Sequence, residues 1–597
     1  NSGTQKKSDA GLYTNISIEQ EIPFIPGLKF KGSFSYDPDF IHNKIWATPM
    51  EIGQLDTSVD PPVMRSVILG NKSGLLIENR DESKQLTYQA NVNYSNNFGP
   101  HTIGFTGVWE LKDYEYATMR TRVNNYIVPI DEIDMGSSAS ADRIANGTSR
   151  KARQMGLVYR LSYDFKGKYL IESSGRYDGH YYFAPGKRWG FFPSISAGWR
   201  LSEENFLKDR IHNLKLRVSY GESGALAGSP FQYLTSYSVS GSGYVIAGNG
   251  VSVSRERASA NLDITWERAK KTNIGLDIGL LKGQFEIMAD YFYEKRSDML
   301  VSPNVIVPVE YGIGLNQENA GVMENKGTEL SVNFHKKMSN DLFFSLNTSF
   351  VYAKNKLLEI FETPSTYDNP NRRITGRALG TLFGYKSLGY FQEDDFDSDG
   401  NLKPGIAQQP WGKVKPGDIR YQDTNGNGKI DVDDQVPIGL PEIPQIIYGI
   451  SPNIQYKNFI LDLFFQGTAR SESYFSGLEM WPFPQGRNAH RHNFDFWTPE
   501  NPNAMHPRLT SAPTPNNTQT SSHWVKDVSY LRLKNATLSY NISSILGQKI
   551  QDAQIYIGGQ NILTFTKQKI RDPEIRNYNV TLYPNQKVIS IGFRFKF

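Results

Sequence analysis

The residues best equipped for chemistry lie in one twelve-residue run, Asp423 to Asp434 (DTNGNGKIDVDD). Asp423, Asn425 and Asn427 stand at its first, third and fifth places, followed by Gly428, Lys429, Asp431 and finally Asp434. This is the spacing of an EF-hand-type calcium loop, in which hard oxygen donors converge on a cation around a glycine-tightened turn. Lys429 would lend its backbone carbonyl. Asn427 replaces the commoner Asp, and Asp434 is shorter than the usual bidentate Glu. Pro416, Pro437 and Pro441 bracket the run, so no flanking helix pair is expected. A Ca2+ ion held by Asp423, Asn425, Asn427, Lys429, Asp431 and Asp434 is one reading; a metal-free polar turn is the other.

Other reactive groups are sparse. Glu393 to Asn401 (EDDFDSDGN) is a second acidic stretch that reads as a solvated turn. His490 and His492 have no carboxylate or thiolate at ligand spacing. Cys is absent, which excludes a disulfide framework or thiolate site. No G-x-S-x-G, H-E-x-x-H or P-loop occurs, so no enzyme is expected. A net charge of +4 over 597 residues gives nucleic-acid binding little support. Trp481, Phe483, Phe494, Phe496 and Trp497 cluster in one long polar segment, 471–527. Such rings can stack on a substrate, sugars above all, or pack the segment against itself.

The elements that must position these groups are strands. From Lys587 to Phe597, Ile589, Ile591, Phe593, Phe595 and Phe597 alternate with Ser590, Gly592, Arg594 and Lys596. One face is apolar and the other small or cationic. The pattern recurs upstream, as in Leu86, Tyr88, Ala90, Val92 and Tyr94 against Thr87, Gln89, Asn91 and Asn93. About seventeen such strands are legible between Leu12 and Phe597. Short connections (PFIPG at 23–27, SND at 339–341, KN at 457–458) alternate with long ones (118–152, 222–266, 298–326, 355–444, 471–527). A transmembrane β-barrel with short periplasmic turns and long extracellular loops has this asymmetry, and its tilted strands need only about ten residues to cross. No run of eighteen apolar residues marks a helix span. The expected fold is therefore all-β, a transmembrane antiparallel barrel, with Trp109, Trp199 and Tyr540 in its interfacial girdles. The first and last strands both run inward, an odd count. Barrels of roughly 22 strands with a plugged lumen exist, and about five further strands would complete one. The chain opens on NSGTQKKSDAG without Met or signal region, so an upstream part is expected.

Several segments resemble the SusC-like TonB-dependent transporters of Bacteroidetes. They include RYDGHYYFAPGKRWGFFPSISAGWRLSEENFLKD (176–209), WERAKKTNIGLDIGLLKGQFEIMADYFYEKRSDML (266–300), ENKGTELSV (324–332), PGDIRYQDTNGNGKIDVDDQVPIGLPEIPQIIYGI (416–450) and WVKDVSYLRLKNATLSYNI (524–542). The resemblance runs from about residue 10 to the end and makes residues 1–597 the C-terminal part of such a barrel. No segment resembles the plug, the TonB box or the first strands. The resemblance implies an outer-membrane importer of oligosaccharides or peptides. It also implies a SusD-like surface lipoprotein as lid, drive from TonB through a plug-bearing N-terminal fragment, and a dimer of SusC–SusD units. A passive porin-like or adhesin barrel is the alternative, since the plug is what separates the two.

Overall fold

The computed structural model describes residues 3–596 apart from 57, 70–72, 209, 305–306, 478–479, 485–487, 544–551 and 576–584. One antiparallel sheet dominates it, each strand pairing with the next along the chain. The sheet runs from the Gly3–Gly11 and Thr14–Glu21 strands through Leu28–Ala47, Gly74–Phe98 and His101–Tyr126 to Asp552–Thr566 and Val588–Lys596. Eighteen strands are assigned to it. The first two are one interrupted strand. Gly11 faces Asp39 and Thr14 faces Tyr36 in a single unbroken register. The ladder lapses opposite Pro38, which has no N–H to give. Its carbonyl still accepts from the Leu12 N–H at 3.1 Å. Counted so, the wall has the seventeen strands expected. Phe597, read as the final residue of the last strand, lies outside the described residues.

The register puts all the apolar alternation on one side. Leu28, Phe30, Phe34 and Tyr36 face Tyr94, Val92, Tyr88 and Leu86, and these face Phe105, Gly107, Leu111 and Asp113. Lys31, Ser33 and Ser35 face Asn91, Gln89 and Thr87 on the other side. A one-residue slip would exchange the faces, so this pattern fixes the pairing strongly. The apolar face stays exposed: Ile591 is 74% accessible and Ile195 54%. No helix is long and apolar enough to cross a membrane among the described residues.

One expectation needs correction. The polar stretch 118–152, read as a loop, is in large part strand, and so is the polar stretch 37–85 between the legible strands. Leu28–Ala47, Gly74–Phe98, His101–Tyr126 and Arg143–Phe165 run on as a tall four-stranded wall. Water bathes both faces there, so no apolar period marks them. Cross-strand charges hold them instead, with Glu115 between Lys84 at 2.7 Å and Lys151 at 2.6 Å. Side-chain hydrogen bonds from these two lysines hold the Glu115 carboxyl down at about 2. The tip closes on a small core of Trp46, Leu76, Val123 and Tyr126. Further hairpins, Met50–Asp56 with Val63–Leu69 and Tyr237–Ile246 with Asn249–Glu256, stand within the long connections.

Candidate functional site

The polar face of the sheet carries a band of paired charges. Arg217 is the best-connected member. Its guanidinium donates to Asp277 at 2.8–3.0 Å and to Asp290 at 2.9–3.0 Å. Arg217 and Asp290 lie opposite Gly275, one from each neighbouring strand. A Cβ on Gly275 would sit 2.6 Å from the guanidinium. The glycine is therefore the gap through which the side chain reaches across. Nearby, Glu172 pairs with Arg160 at 2.6 Å, and Glu110 accepts from Gln89 at 2.6 Å and Lys112 at 3.0 Å. A hollow of about 430 Å³ in the same wall is lined by Thr102, Ser162, Glu172, Ser196, Lys215 and Arg217. The alternation in the sequence marks this face as polar but not its ion pairs, because partners such as Arg217 and Asp290 are 73 residues apart. Their one signal is that the charges fall on alternate positions of strands whose other face is apolar.

Above one end of the sheet, the long connections 360–445 and 470–529 fold together. Tyr385, Ile419, Tyr421, Ile430, Phe475, Met480, Trp497 and Trp524 form their shared core. Each fully buried side chain here contributes about 2 kcal/mol. Several buried polar groups are matched: Tyr421 donates to the Asn516 carbonyl at 2.7 Å and Trp524 to the Asn517 carbonyl at 2.9 Å. Arg508 clamps the Asp418 carboxylate from 2.8 Å. Gly417 takes a positive φ of 86°, and a Cβ there would meet the Trp497 ring.

The five aromatic candidates do not share one surface. Trp497 is 7% exposed and belongs to the core, and Trp481 packs against it. Phe483 and Phe496 are half-buried. Phe494 is 80% exposed, the one ring of the five fully open to solvent. His492 and His506 meet at 2.9 Å, a contact the sequence could not show. Burial, with His492 adding to it, pushes the His506 imidazole down to about 4.

The 423–434 run forms a turn whose oxygens engage its own backbone. The Asp423 carboxylate accepts from the N–H groups of Gly426 at 2.6 Å and Gly428 at 2.7 Å. Burial raises its pKa, and these backbone donors outweigh that, so it lies below the usual range. Asn425 and Asn427 accept from the N–H groups of Asn427 and Lys429. Asp431 accepts from Asp433, and the fully buried Asp434 accepts from Thr424 at 2.7 Å and Asp431 at 2.8 Å. Among the described residues no group of three or more His, Asp or Glu is gathered as a metal cluster.

Residues 13–444 match the family model described as "TonB dependent receptor-like, beta-barrel". The chain belongs to this family. The TonB-dependent receptor P26 of Formosa agariphila is 30% identical over 73% of the chain and 45% of its own length. TonB-dependent receptor P3 of the same organism is 29% identical, over 96% and 57%. TonB-dependent receptor SusC of Bacteroides thetaiotaomicron is 26% identical, over 73% and 43%. The chain thus spans about half the length of the curated relatives it matches. Among solved structures, the RagAB peptide importer in its open-open state superposes with a TM-score of 0.79 at 19% identity. That match covers 99% of this chain and 62% of that one. As a TonB-dependent receptor barrel, the chain resides in the outer membrane. Its apolar face meets lipid, its charged face lines the lumen, and its long loops stand outside the cell.

Proposed function

We propose that this chain supplies the lumen wall and outer loops of a TonB-dependent nutrient importer of the SusC type. The observation that carries the reading is the pairing of a charge-lined lumen face with an apolar lipid face in a barrel of this family. A passive pore needs only a wettable wall. A wall of matched ion pairs such as Arg217–Asp277–Asp290 suits a protein plug seated against it. In this reading the Gly3–Glu21 and Val588–Lys596 edges, each paired on one side only among the described residues, receive strands from an N-terminal part that also carries plug and TonB box. A SusD-like lipoprotein covers the loops, in a dimer of such pairs, and the cargo is an oligosaccharide or peptide. Phe494 is the loop aromatic best placed to touch that cargo. No step in this function is chemical.

A Ca2+ ion in the 423–434 turn is part of the proposal, on donor spacing alone. Calcium titration followed by calorimetry, with metal content measured on the purified protein, tests it; neither heat nor bound calcium means no ion. The partner reading is tested by purifying the whole protein in mild detergent and weighing the intact complex by native mass spectrometry. A bound lipoprotein in equal number is the expected result. A protein that never co-purifies with one, at any salt, contradicts it.

A further inference from the structure

The lipid-facing side of the wall ends, at its outer edge, in lysines, three of which have no ion-pair partner among the described residues. In the strands Phe285–Val301, Glu318–Lys337 and Leu342–Glu359, the apolar face runs through Ile287, Val332 and Thr348 to Ala289, Leu330 and Phe350. It then reaches a polar-aromatic row of Tyr291, Thr328 and Tyr352. Such a row marks the level of the membrane interface. The next positions on this same face are Tyr293, Lys326 and Lys354, and then Lys295, Glu324 and Lys356. Lys326 stands directly opposite Lys354, and Lys295 directly opposite Lys270 of the Glu267–Leu280 strand. Like charges directly opposite each other on a sheet are destabilising.

The same chain shows that it can match such a row. On the tall wall, Lys84, Glu115 and Lys151 alternate in sign across three strands. At the lysine edge, Glu324 reaches Lys326 at 3.8 Å and Glu222 reaches Lys270 at 3.6 Å. Lys295, Lys354 and Lys356 have no ion-pair partner among the described residues, and all three are exposed. The loops add to the field. Arg377 and Arg470 line a groove of about 500 Å³ with Lys326, Lys354 and Lys356, and Glu324 is its only carboxylate among the lining residues. Both arginines are held by backbone or amide oxygens, which carry no counter-charge.

We propose that this groove binds the phosphate headgroup of an outer-leaflet lipid, seated between Lys326, Lys354 and Lys356. The proposal rests on the outer-membrane placement of the barrel and not on its cargo or partners. Three features choose a lipid over a free anion. The lysines face outward rather than into the lumen. They sit on the row next to the interfacial aromatics. The apolar strip of Leu330, Phe350 and Tyr352 runs directly below them, where acyl chains would lie. A lipid phosphate at this height meets several lysines as point charges while its chains stay in the membrane.

The test uses the whole protein in detergent. Lipid A bearing its phosphate, the same lipid A after phosphatase treatment, and inorganic phosphate are compared by native mass spectrometry and by thermal shift. The phosphorylated lipid should bind about tenfold or more tightly than either control. The Lys326→Gln, Lys354→Gln, Lys356→Gln variant should lose that preference while keeping its β signal by circular dichroism. The single variant Lys354→Glu is a second arm. It should raise the midpoint of the lipid-free protein, by relieving the Lys326 repulsion, and abolish the lipid shift. Equal binding of the dephosphorylated lipid, binding of inorganic phosphate as tightly as the lipid, or undiminished lipid binding by the Lys354→Glu protein would each overturn the proposal.

Discussion

Arg217 and Asp290 sit on strands that do not touch each other, and their side chains meet over Gly275 of the strand between them. The contact ties three neighbouring strands of the lumen wall with one guanidinium. Arg217→Ala would leave Asp277 and Asp290 facing each other without a counter-charge. Both are only partly exposed, so the loss is discounted for lumen water, to about 1–2 kcal/mol. Arg217→Lys would recover part of this, since an ammonium lacks the fork that serves two carboxylates. Urea unfolding in detergent checks both.

The face assignment gives a paired prediction on the last strand. Ile591 points to lipid and Ser590 to the lumen. An arginine on the lipid face near the bilayer midplane costs about 2–4 kcal/mol. Ile591→Arg should therefore cut the yield of folded barrel, seen as lost heat-modifiable migration on gels. Ser590→Arg should leave it unchanged. Equal effects would mean that the register of Val588–Lys596 on Asp552–Thr566 is wrong.

Gly417 makes the tight turn that lets the loop core pack against Trp497. Its φ of 86° is strained for any other residue, and there is no space for a Cβ. Gly417→Ala should cost more than about 1 kcal/mol locally. Limited proteolysis should then cut within 360–530, while the barrel strands stay protected.

The loop assembly should loosen in acid. His506 is held at about 4 in the folded chain against 6.5 in the free residue. Between those values the unfolded chain binds a proton that the folded one refuses. Stability from this group is thus complete above about pH 6.5 and falls as pH drops toward 4, by on the order of 3 kcal/mol in total. Loop proteolysis as a function of pH should show this slope, and His506→Gln should make it shallower, the remainder coming from the neighbouring His523, which burial also holds down at about 3.

The wall was legible in the sequence because lipid on one side and water on the other impose a period of two. Where both sides are wet, as in 118–152, the period vanishes, and the strand that brings Lys151 to Glu115 reads as a loop. The loop assembly was half legible. The aromatic run from Trp481 to Trp497 was visible as a cluster. Which ring is buried depends on contacts such as Gly417 with Trp497, 80 residues away, and no local spacing encodes that. The turn at 423–434 was located by its glycines and asparagines, whereas the use of Asp434 as a buried anchor for Thr424 appears only in the fold.

A driven importer of the proposed kind should depend on TonB. Uptake through the whole protein in cells, over a panel of labelled oligosaccharides and peptides, measured with and without TonB, tests it most directly. At least one of these compounds should enter only when the barrel and TonB are both present. Uptake that needs the barrel but is the same without TonB would contradict it and make the lumen a passive pore.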